Sequence, residues 1–171
     1  MNQPIIIVGF MGSGKTTVAR KLARILNCVA IDLDNVIAQR TGRTAREIIE
    51  ADGEPAFRSV ETRTLSKVLD EGSGRVIALG GGAWIEEENR QLVTARNGFS
   101  VWIDAPFELC WGRIEAAGNE RPLAPNRELA EKLYAQRRPV YALATLRVAV
   151  REDDSSRAAV TIANGVSRDE T

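Results

Sequence analysis

The sequence contains no histidine. That absence removes Ser-His-Asp and Cys-His catalysis, HExxH zinc sites and any imidazole base, leaving carboxylates, lysine, tyrosine and cysteine for proton work. Cysteine is scarce: Cys28 and Cys110 lie far apart with no CxxC spacing, and the opening MNQPIIIVGF has neither a basic leader region nor a cleavage site. A reducing cytoplasm is the expected compartment. No apolar run approaches the roughly 20 residues that span a bilayer, so no membrane partner is expected. Neither sign of charge is in excess, 23 Lys and Arg balancing 23 Asp and Glu. Without a global positive field, nucleic acid is not an expected partner, and any anion site must be local.

What is present fits one soluble α/β domain over residues 1–171, with 44% hydrophobic and 27% charged residues and enough chain to bury a core unaided by disulfides or metals. Short apolar runs at 5–9, 29–32, 75–79, 99–104 and 146–150 alternate with longer segments of helical period. That rhythm predicts a five-stranded parallel sheet flanked by helices. Val18, Leu22, Ile25 and Leu26 mark a helix after the first strand, with Asn27 as its stop. Thr44 stands three residues before Glu47, a capping-box spacing, and DGEP at 52–55 predicts a sharp turn between two helices. Residues 126–144 suit a further helix, kinked or broken near Pro139. The tail from Arg151 reads as polar, then weakly helical, and Trp84, Trp102 and Trp111 read as packing residues.

Residues 9–16, GFMGSGKT, match GxxxxGK[ST] directly after a strand and directly before a helix. Gly12 and Gly14 let successive backbone N–H groups, Ser13 included, curl around phosphate oxygens at a helix N-terminus. Lys15 would reach the β and γ phosphates and the Thr16 hydroxyl would ligate Mg²⁺, with Thr17 next in line. The base-reading NKxD signature of GTPase switches is missing, which leaves a compact kinase for a small metabolite. Three further pieces fall near strand ends, where open α/β sheets bind ligands: Asp32 with Asp34, the run Gly80-Gly81-Gly82, and Arg58.

In this order the motifs GFMGSGKTTVARKLA, DLD at 32–34, DGEPAFRSVE at 52–61, LGGGA at 79–83, RPL at 121–123 and RRPVY at 137–141 make the chain resemble shikimate kinases over nearly its whole length. The resemblance implies a P-loop fold like that of nucleoside-monophosphate kinases, with a small substrate-binding segment at about 33–61 and a lid at about 114–128. It implies transfer of the ATP γ-phosphoryl group to the 3-hydroxyl of shikimate, with Mg²⁺ as cofactor and a monomer as the working unit.

The resemblance also assigns roles. Arg58 and Arg137 would clamp the substrate carboxylate, a task that suits planar guanidinium groups, although Glu61 is an alternative partner for Arg58. Gly80, Gly81 and Gly82 would let bare backbone approach the substrate ring. Asp34 would take the proton of the attacking hydroxyl, and Asp32 would hold the Mg²⁺ shell through water. If the strand continues through AIDLD, the two aspartates share one face about 6.6 Å apart along the chain. Arg121 would close over the ATP phosphates from the lid, and Arg113 is a looser match to a residue stacked on adenine. Two departures stand out: the stretch from Arg121 to Arg137 is shorter than the family's lid, and Ala124 occupies the position of a leucine. The residues alone leave open a kinase for another hydroxylated metabolite such as gluconate, or a non-catalytic regulator that binds nucleotide or shikimate.

Overall fold

The computed structural model describes residues 3–118, 122–152 and 154–169. Strand β1 (Ile5–Val8) is apolar at every position and wholly buried, as a strand covered on both faces must be. Around it run β2 (Ala30–Asp32), β3 (Val76–Ala78), β4 (Phe99–Asp104) and β5 (Leu146–Ala149) in the order β2-β3-β1-β4-β5, every pairing parallel. The chain crosses from one side of β1 to the other between β3 and β4. The crevice that opens at the strands' C-terminal ends there is where sheets of this kind bind ligands.

Helix α1 (Lys15–Ile25) starts on the left-handed Gly14 and turns Val18, Ala19, Leu22 and Ala23 into the core; Asn27, at φ 50°, lies just past its end. Helix α2 (Leu33–Thr41) follows β2 without a loop, which corrects the expectation of an extended chain through Asp34. The Asp32 side chain accepts from the backbone N–H groups of Asp34 and Asn35, so Asp32 is the N-cap and satisfies donors that an extended strand would not present. Helix α3 (Ala45–Asp52) begins with the expected Thr44–Glu47 capping box. Gly53 at φ 89° then turns the chain into α4 (Glu54–Glu71), which carries Pro55 in its first turn.

The helices α5 (Glu87–Ala95) and α6 (Phe107–Ala116) complete the second half together with α7 (Arg127–Tyr141) and α8 (Ser155–Asp169). Helix α7 runs through Pro139 and ends two residues later; proline removes one N–H there, too near the end to break the helix. The tail is more strongly helical than its sequence suggests. Ala158, Ala159, Ile162, Ala163 and Val166 make a buried face of small side chains, and α8 packs closely on α1. Trp84 and Trp102 are buried and Trp111 stacks on Phe107, in keeping with packing roles. Among the described residues no helix is long and apolar enough to cross a membrane.

Candidate active site

The loop between β1 and α1 has the φ values its glycines make possible: 146° at Gly9, 75° at Gly12 and 93° at Gly14. It is also seated too tightly for side chains. A Cβ on Gly12 would lie 2.6 Å from the Cys110 carbonyl oxygen on α6, and one on Gly9 would lie 2.7 Å from the Ile103 carbonyl oxygen on β4. The Lys15 ammonium donates to the Phe10 carbonyl oxygen at 2.9 Å, and so lies folded over the loop. Ser13 is buried with no hydrogen-bond partner for its hydroxyl, a cost that an anion in the cradle would remove. Gly12, Ser13, Gly14, Lys15, Thr16 and Thr17 line one cleft of about 620 Å³ together with Asp32, Asp34, Gly80 and Gly81.

The two aspartates meet different neighbours because the strand ends between them. Asp32 Oδ1 caps α2, while its Oδ2 accepts the Thr16 hydroxyl at 2.7 Å. Asp34 points instead to the triple glycine, where a Cβ on Gly80 would stand 3.1 Å from its Oδ1.

Candidate site side chains stand beside each of the three glycines, and at Gly81 the Met11 backbone nitrogen, 3.3 Å from where a Cβ would be, is nearer still. At Gly80 the side chains are Asp34 and Glu61; at Gly81 a Cβ would be 3.4 Å from Arg137 Nη1; at Gly82 it would overlap Arg58 Nη2 and lie 2.6 Å from Cζ. Tyr141, itself buried, donates its hydroxyl to the Gly81 carbonyl at 2.5 Å and holds that loop to α7. Burial pushes the Tyr141 phenol up to about 12, against the pull of Arg137, so it stays a donor.

Arg58 donates to Glu54 at 3.1 Å and to Glu61 at 2.7 Å. Burial opposes its charge, and the two glutamates more than restore it. Glu61 is fully buried, with Oε2 on Arg58 and Oε1 without a partner. Burial pushes its carboxyl up to about 7; Arg58 pulls down, and Asp34 and Glu86 push up.

Of the residues expected to act together, the P-loop set, Asp32, Asp34, Gly80 and Gly81 line the cleft, whereas Gly82, Arg58 and Arg137 adjoin it at the triple glycine without lining it. Arg121 lies outside the described residues. Arg113 Nη1 donates to the Gly12 carbonyl at 3.1 Å at the mouth of the cleft. Sequence reading gave Glu61 only as a partner for Arg58, and it passed over Tyr141 and the far wall of the cleft, Arg151 and Ser155. The three-residue spacing of Arg58 and Glu61 on one helix was the available signal for the first; nothing local marks the others.

Among the described residues no group of three or more cysteine, aspartate or glutamate side chains could cage a metal. The pair Thr16 and Asp32 instead fits Mg²⁺, which takes one or two protein oxygens and fills the rest of its shell with water and phosphate.

The family model described as shikimate kinase matches residues 11–165. The chain is 39% identical over 165 residues to the shikimate kinase of Cereibacter sphaeroides, covering 95% of this chain and 81% of that one. It is also 39% identical over 152 residues to the shikimate kinase of Brucella canis, covering 87% and 74% respectively. Among solved structures, shikimate kinase from Acinetobacter baumannii in complex with shikimate superposes with a TM-score of 0.90 at 31% identity, over 99% of this chain and 96% of that one. An APS kinase from Mycobacterium tuberculosis, at 19% identity and a TM-score of 0.61 over 95% and 96% of the two chains, shares the fold alone.

Proposed function

Since this chain belongs to the shikimate kinase family, we propose that the residues around its triple glycine bind shikimate while the P-loop presents ATP to it. The enzyme transfers the ATP γ-phosphoryl group to the 3-hydroxyl of shikimate, giving shikimate 3-phosphate and ADP. The observation that carries the site assignment is the gathering of Asp34, Arg58 and Arg137 on consecutive glycines beside the P-loop.

In this reading Arg58 and Arg137 receive the substrate carboxylate as a pair of guanidinium forks. Asp34 accepts the proton of the attacking hydroxyl. Gly12 to Thr17 bind the phosphates through backbone N–H groups, and Lys15 exchanges the Phe10 carbonyl for phosphate oxygen. Thr16 directly, and Asp32 through water, would hold Mg²⁺, which neutralises phosphate charge when bound. Arg121 is proposed, from its motif alone, to stabilise the transferring group from a lid at about 114–128. The whole chain works as one domain, with acceptor contacts drawn from about 33–61, and we take it to be a cytoplasmic monomer.

Gluconate and the purely regulatory role, open from the residues alone, are disfavoured by the family match and by the likeness to shikimate kinases of known structure. An ADP-release assay with MgATP and a panel of acceptors tests the assignment. Shikimate should be phosphorylated, and its amide and ester analogues, which lack the charge for the two arginines, should fail. Turnover of the analogues at the rate of shikimate would remove the clamp, and light scattering and gel filtration check the monomer.

A further inference from the structure

Arg58 is surrounded by more negative charge than a carboxylate clamp requires. Its Nε and Nη2 donate to Glu54 at 3.3 and 3.1 Å, its Nη1 donates to Glu61 at 2.7 Å, and Glu86 stands 4.0 Å from Nε. Asp34 joins the group from the other side of Gly80: a Cβ at that glycine would be 3.1 Å from Asp34 Oδ1 and 3.3 Å from Glu61 Oε1. Glu61 is thus faced by Arg58 and Glu54 from its own helix, by Asp34 from α2 and by Glu86 at the start of α5. Arg137 of α7 approaches the next glycine. Glu54, Glu61 and Glu86 thus stand around the single guanidinium of Arg58, with Asp34 across Gly80, before any substrate arrives.

A substrate carboxylate makes a fifth. It must also draw on the guanidinium that offsets the charge of Glu61. Glu61 has no access to water, and its Oε1 has no donor, so an ionised Glu61 that shares Arg58 with another anion would be both buried and undercompensated. Protonation relieves both problems, because a neutral carboxyl carries no charge to offset and its O–H is a donor that can face the carboxylate of Asp34 across Gly80.

We propose that Glu61 takes up one proton from solvent when the substrate carboxylate engages Arg58, making acceptor binding proton-linked and Glu61 a positioning residue that releases Arg58 to the substrate. This rests on the assignment of Arg58 to the shikimate carboxylate. The sign follows from the charges. In the free enzyme burial holds the Glu61 carboxyl at about 7, with Arg58 pulling down and Asp34 and Glu86 pushing up. Weakening the pull of Arg58 raises it further. Below about 7 the proton is already in place and binding takes up none. Above that value uptake approaches one proton, and affinity for shikimate falls by up to about tenfold per pH unit until the bound-state value is reached.

Calorimetric titration of the full chain with shikimate, in three buffers of different ionisation enthalpy between about pH 6 and pH 9, measures the uptake directly. The expected result is a proton count rising towards one at alkaline pH and vanishing at acid pH. Glu61→Gln should abolish it, and Glu86→Gln, by removing one repulsive neighbour, should move its onset to lower pH. Binding with no uptake at any pH, or uptake that persists in Glu61→Gln, would overturn the proposal while leaving shikimate as the substrate. If Glu61→Gln fails to fold, the wild-type count and the Glu86→Gln displacement still decide. An absence of binding heat with a parallel failure of the ADP-release assay would reject the functional assignment itself, and the proposal with it.

Discussion

The guanidinium of Arg58 occupies the space that a side chain on Gly82 would need: a Cβ there would overlap Nη2 and stand 2.6 Å from Cζ and 2.7 Å from Nη1. The glycine at 82 therefore makes room for an arginine 24 residues earlier in the chain, while its own backbone, with a φ of −95°, suits any residue. Gly82→Ala should force the guanidinium off its bonds to Glu54 and Glu61. Steady-state kinetics should show the KM for shikimate raised by about 10- to 100-fold, as expected for about 1.4 to 3 kcal/mol of lost binding, with the KM for ATP nearly unchanged.

Asp32 and Asp34 should fail in different ways. Asp34→Asn removes the proposed base and should lower kcat by about 10²- to 10⁴-fold. In Asp32→Asn the single remaining acceptor oxygen cannot both cap α2 and take the Thr16 hydroxyl. Its defect should be partly reversed by about 10- to 100-fold more Mg²⁺, and a Mg²⁺ titration of each variant separates the two.

Gly12→Ala combines a left-handed φ of 75° with a Cβ 2.6 Å from the Cys110 carbonyl oxygen. The backbone strain alone is about 1–3 kcal/mol. Thermal unfolding should shift downward by about 2–4 °C for each kcal/mol, and ATP binding should be lost even where the protein still folds.

Tyr141→Phe keeps the buried ring and removes the donor to the Gly81 carbonyl. Leaving a buried acceptor unsatisfied costs about 1–3 kcal/mol. Denaturant unfolding should show that loss, and the KM for shikimate should rise because the loop between the two arginines is no longer held. The wild-type phenol, pushed up to about 12 by burial, should keep this bond through the neutral and mildly alkaline range.

Stability should carry the mark of Glu61 in the absence of ligand. Its folded-state carboxyl is raised from 4.5 to about 7, so over that range the native state holds a proton that the unfolded chain has lost. The contribution of this group to stability therefore falls as pH rises from about 4.5 to about 7 and is level above, a decline on the order of 3 kcal/mol at 1.36 kcal/mol per unit. Urea unfolding at several pH values should show the stability of Glu61→Gln rising relative to the wild type across that window; parallel curves would contradict the assignment.

The sequence by itself determined the parts whose signals are local. The P-loop was legible because glycine spacing, strand and helix adjoin one another; the capping box at Thr44 and the turn at Gly53 were legible because each is settled within a few residues. The strand positions were legible because runs such as Ile5 to Val8 have no reason to be apolar throughout unless buried on both faces. What tertiary structure alone decided is how distant pieces close on one another. AIDLD reads as an extended strand with two aspartates on one face, yet the Asp32 side chain caps a helix that packs on α4, and it is this turn that sends Asp32 to Thr16 and Asp34 to Gly80. The bond from Tyr141 to Gly81 and the buried, partnerless Oε1 of Glu61 likewise join residues that no local pattern connects. Periodicity reports which face a residue takes along its own element; which side chain it meets there depends on how the helices pack across the sheet, and only the folded chain fixes that.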